Sequence, residues 1–131
     1  MSVEGDLAAL LGNMRPRLLD GSFVFVTVDG WAGAEGLDAR ASVHEDEGLS
    51  VVVDRLEADR RQLSYDYVAA WITLEVRSAL GAVGLTAAVS RTLADAGISC
   101  NVIAGRHHDH LLVPAERVAE AMITLQALSG G

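Results

Sequence analysis

The stretch from Ile72 to Pro114 constrains the fold most, because its hydrophobic period switches repeatedly between two and 3.6 residues. Val68 to Val76 (VAAWITLEV) reads as a long strand that runs into a loop containing Gly84. Leu85, Ala88, Val89, Leu93 and Ala96 then recur at i, i+3, i+4, which predicts an amphipathic helix. Gly97 is placed to end it, since glycine adopts positive φ at little cost. Strands are expected over Ile98–Ala104 and His108–Val113, joined by a tight turn at Gly105-Arg106. Pro114 opens a last helix whose buried stripe is Val118, Ala121, Met122, Leu125 and Leu128. The order β-α-β-β-α is that of a ferredoxin-like half-sandwich, an antiparallel sheet with helices on one face.

The chain before this stretch is less regular. Val3, Leu7, Leu10, Leu11 and Met14 have helical spacing, and Pro16 is expected to stop that helix. Ser22–Asp29 (SFVFVTVD) reads as a strand. Gly30, Gly33 and Gly36 mark a loop around Trp31. Arg40–Glu45 and Leu49–Asp54 predict a hairpin turning at Asp46-Glu47-Gly48, followed by a short helical turn over Arg55–Gln62. The second half lacks the fourth strand of its sheet, and an open edge invites unwanted pairing. Residues 22–29 are the expected filler. The reading is an α+β fold of two interlocked ferredoxin-like halves, residues 1–65 and 66–131.

Composition limits what such a chain does. Half the 131 residues are apolar, enough for a core. A net charge of −8 disfavours nucleic acid and anionic membranes as partners. All ten basic residues are arginine, which excludes a lysine Schiff base and a phosphate-loop lysine. The glycine-rich loop around Trp31 is therefore read as a loop and not as a phosphate cradle. A single cysteine, Cys100, fits a reducing compartment. No stretch approaches the ~20 apolar residues of a membrane span, and the N-terminus has no signal-peptide core. A soluble cytoplasmic protein is expected.

Several residues invite chemical readings. Glu45, Asp46 and Glu47 lack the alternating ligand spacing of a calcium loop and read as a solvated turn. In a strand, His108 and His110 share one face and His107 and Asp109 the other, so each face offers two ligands where zinc wants three or four. No metal site or other cofactor is assigned, and a polar hairpin or interface is the ordinary reading. Cys100 lies among apolar strand residues, where a thiol is inert, and no nucleophile motif surrounds Ser90 or Ser99. Ala82, Val83, Gly84, Leu85 and Thr86 form a strand-to-helix loop. Its backbone N–H groups and helix dipole suit a carboxylate, although a tight turn alone also accounts for Gly84.

Gly84-Leu85-Thr86-Ala87-Ala88-Val89 followed by Leu93-Ala94-Asp95-Ala96-Gly97-Ile98-Ser99 resembles the ACT domain, a small regulatory module that often binds amino acids. The resemblance covers roughly residues 66–128, and the first half looks like a degenerate second copy without its first helix. The common ACT loop has an Asp soon after the first strand and a Pro before the Gly; here Ser78 and Val83 stand near those positions. In similar two-copy proteins an Asp early in the third strand faces the ligand, and Asp109-His110-Leu111-Leu112-Val113 fits that pattern. The resemblance implies a non-enzymatic sensor binding an amino acid or similar zwitterion. Ala82 to Thr86 would meet its carboxylate, Asp109 its ammonium, and Asn101 would be a further contact. It also implies a homodimer and an unidentified protein partner. A ligand-free dimerisation scaffold is the alternative, and an enzyme using Cys100 and the histidines a remote one.

Overall fold

The computed structural model describes residues 7–76 and 83–130. In chain order the elements are α1 (Leu7–Asn13), β1 (Arg15–Leu18), β2 (Phe23–Val28), α2 (Gly30–Gly33), β3 (Ala41–Glu45) and β4 (Gly48–Asp54). Then come α3 (Arg55–Arg60), β5 (Val68–Glu75), α4 (Leu85–Asp95), β6 (Asn101–Ala104), β7 (Asp109–Pro114) and, after a 3-10 turn, α5 (Val118–Leu128). The described residues of Met1–Leu19 and Ala70–Gly131 form one compact unit, and Asp20–Ala69 forms the other. The expected division at residue 65 thus moves four residues along the chain, and the N-terminal helix joins the later unit.

In that later unit the sheet order is β1-β5-β7-β6. The side chains of β5 alternate: Ala70, Ile72 and Leu74 enter the core beneath the helices, while Trp71 and Thr73 point to the opposite face. Leu85, Val89 and Leu93 of α4 and Ala121 and Leu125 of α5 close the core from above, at the predicted positions. Leu10 of α1 and Met14 just after it join the same cluster, which is why this helix belongs here. Gly97 ends α4 at φ +75°, with the Ile98 N–H donating to the Leu93 carbonyl at 2.9 Å and the Gly97 N–H to Ala94 at 2.9 Å.

The strand beside Ile72–Glu75 is β1, while residues 22–29, the expected filler, pair with the start of β5 at Val68 and Ala69. Pro16 therefore sits within a strand, not merely past a helix. An outer strand tolerates it because a proline lacks only the N–H that an edge can spare. Arg17 reaches across the pairing to make a 2.8 Å ion pair with Glu75.

In the unit Asp20–Ala69 the order is β3-β4-β2, and the first two residues of β5 flank β2, with Phe23 opposite Ala69 and Val24 opposite Val68. Val24, Val26, Leu49, Val51 and Val53 share one buried face with Ala58 of α3. The Asp54 carboxylate caps α3 by accepting the Leu56 N–H at 2.8 Å. The glycine loop holds one helical turn, α2, where a first helix would stand in a full β-α-β-β-α unit.

Candidate functional site

The start of α4 offers open hydrogen-bond donors. Its first backbone bond runs from the Ala88 N–H to the Gly84 carbonyl at 2.8 Å, and no side chain caps it. The N–H groups of Leu85, Thr86 and Ala87 consequently have no partner among the described residues, and they carry the positive end of the helix dipole. Gly84 turns the chain there at φ +104°, a left-handed conformation that L side chains resist. Leu7 packs so close that a Cβ on Gly84 would meet its methyl at 3.3 Å. Val83 just before is 84 % exposed. Ala82 lies outside the described residues.

Asp109 begins β7 toward the same end of the unit. The geometry follows from Arg117, just past β7, which donates to the carbonyls of Ala96 and Gly97 at 3.1 and 3.2 Å. So β7 finishes where α4 finishes, and starts toward the end at which α4 starts. Asp109 shares the parity of Leu111 and Val113, whose side chains enter the core under the helices. Its carboxylate is half-buried and has no hydrogen-bond or ion-pair partner among the described residues. Asn101 is different. It stands opposite Leu112 on the edge strand, three residues from the Ala104–Asp109 pair and on the other face from Val102, so it is not gathered with Asp109.

The histidines divide. His110 joins a cluster on the face of β5 away from the helices. The Trp71 indole N–H lies 3.2 Å from Thr73 Oγ1 and 3.3 Å from His110 Nδ1, and Thr73 Oγ1 lies 3.0 Å from the same Nδ1. The Thr73 hydroxyl can accept from the indole and donate to the imidazole, which makes Nδ1 an acceptor. Trp71 is 3 % and Thr73 2 % exposed, so this mutual bonding meets the requirement that buried polar groups be paired. The sequence reading missed Trp71 and Thr73 as partners of His110. Their alternation with Ile72 was the available signal. His108 Nδ1 is buried with no partner among the described residues.

Among the described residues no group of three or more His, Cys, Asp or Glu side chains could hold a metal ion. Burial pushes the Cys100 thiol up to about 11, so at neutral pH it stays protonated and weakly nucleophilic. No helix among the described residues is long and apolar enough to cross a membrane.

Comparison with known proteins bears on both units. ACT domain family models match residues 2–70, just over half the chain, and residues 67–127. A crystal structure of a Vibrio cholerae protein of unknown function, described as a possible transport protein, is similar at 40 % identity with a TM-score of 0.86, covering 94 % of this chain and 95 % of that one. The regulatory subunit of aspartate kinase from Thermus flavus matches at 12 % identity and TM-score 0.63, covering 98 % and 99 %. An Agrobacterium tumefaciens protein matches at 19 % identity and TM-score 0.61 over 88 % and 89 %. Curated proteins give no match. With one match in each half, the chain belongs to the ACT domain family of small regulatory modules.

Proposed function

We propose that the protein is a non-enzymatic sensor that binds a free amino acid at the opening of α4. The observation that carries this is the pairing of opposite needs at one end of the unit. Uncapped N–H groups at Leu85 and Thr86 suit a carboxylate, and the unpartnered Asp109 carboxylate suits an ammonium. A zwitterion buried with only one end met would be costly, so both features are needed. The regulatory role of the Thermus subunit of the same fold supports the reading.

The response is a change in pairing between two copies in the cytoplasm, relayed to a protein partner. Exposed Val83 and Leu7, at 84 % and 37 %, stand at the start of α4 and lose water contact if a second copy covers them. The same exposure favours the alternative, a pairing scaffold without a ligand.

A thermal-shift screen against free amino acids at millimolar concentration separates the two. Binding stabilises by about 2.7 kcal/mol at a hundredfold excess over Kd, enough to raise the melting temperature by several degrees. The sensor predicts such a rise with one or a few amino acids. A flat screen leaves the scaffold.

A further inference from the structure

A groove of about 650 Å³ opens in the unit Asp20–Ala69, lined by Phe25, Thr27 and the run Gln62 to Asp66. It forms where the sheet comes apart. The Arg55 N–H donates to the Ser22 carbonyl at 2.9 Å, which marks the Ser22–Arg55 pair as hydrogen-bonded. By antiparallel alternation the bonded pairs with β4 continue at Val24, Val26 and Val28, and Thr27 turns its N–H and C=O to the other side. There β5 pairs with β2 only at Phe23 and Val24. The chain before Val68 swings away, so β5 does not reach the backbone groups of Thr27.

The swing is built by an unusual turn. Gln62 sits at φ +58°, the only non-glycine among the described residues with positive φ. It follows the end of α3, where the Leu63 N–H donates to the Ala58 carbonyl at 2.9 Å. Glycine is the ordinary choice at that point of such a turn, so a glutamine there retains a side chain at a conformational cost. That side chain lines the groove, as do those of Ser64 and Asp66, and none of the three side chains has a hydrogen-bond or ion-pair partner among the described residues. Asp66 is the one charged residue of the lining. Phe25 provides an aromatic wall, its ring 6.4 Å from that of Tyr67.

We propose that this groove is a second small-molecule site, independent of the amino-acid reading, and that it takes a primary amine. An ammonium has three donors and no acceptor. The groove supplies the Asp66 carboxylate, the Thr27 carbonyl and the Ser64 and Gln62 oxygens as acceptors, and no cation is among its lining residues. The apolar body of the amine lies against Phe25.

The test is amide NMR of the full chain titrated with phenethylamine, 2-phenylethanol and phenylacetate, which share one body and differ in charge. The amine is expected to shift the amides of Thr27, Gln62, Ser64 and Asp66 saturably, and the other two far less. Asp66→Asn leaves an exposed, unpartnered position folded and weakens the amine about fivefold or more. Gln62→Gly relaxes the turn, so it raises the unfolding midpoint while weakening the amine. Equal binding of the alcohol, unchanged affinity in both variants, no shifts at all, or shifts confined to Leu85–Ala87 and Asp109 would each overturn the proposal.

Discussion

Gly48→Ala is expected to destabilise the protein by about 2–4 kcal/mol. Gly48 sits at φ +143°, and a Cβ there would lie 2.9 Å from the Val28 carbonyl oxygen and 3.0 Å from the Thr27 methyl. The first is backbone and cannot swing aside. Relief requires separating β4 from β2, which are paired over six positions from Phe23–Asp54 to Val28–Leu49. The new side chain thus meets a steric and a torsional penalty together. Urea unfolding measures this directly. A variant within about 0.5 kcal/mol of wild type, the range of an ordinary surface change, would show that the close approach is absent.

Asp109→Asn is expected to leave folding intact and to weaken amino-acid binding by about 1.5–3 kcal/mol, or about tenfold to a hundredfold in Kd. Asparagine has nearly the same shape but no charge, so it keeps the packing and loses the attraction for an ammonium. Folding is spared because the carboxylate pairs with nothing among the described residues. Calorimetric titration of both proteins with an amino acid that stabilises the wild type measures the difference. Equal affinities would remove Asp109 from the site and leave the start of α4 as its only part.

The later unit was legible because its helices bury one face each. Leu85, Val89 and Leu93 repeat at helical spacing and all reach the core, and Gly97 ends the helix as its place in the sequence suggests. Arg15–Leu18 was not legible. Three of its four residues are exposed, so it carries no alternation, and Pro16 reads as a breaker unless the strand is known to lie at an edge. The α2 turn has four residues, too few for a periodic signal. The Trp71–Thr73–His110 cluster joins residues 37 and 39 apart in sequence, a proximity set by the placement of β5 beside β7. At the candidate site, Gly84 announced itself as a turn residue. The lack of a partner for Asp109 needed coordinates. So did the left-handed Gln62, since nothing local distinguishes it from a helix-terminal glutamine.

The central claim is that the opening of α4 receives a ligand carboxylate. Amide NMR of the full chain, with free amino acids added singly at millimolar concentration, tests it at the atoms concerned. The account predicts that at least one amino acid saturably shifts the Leu85 and Thr86 amides together with that of Asp109. If none moves the amides at the start of α4, the amino-acid sensor is contradicted.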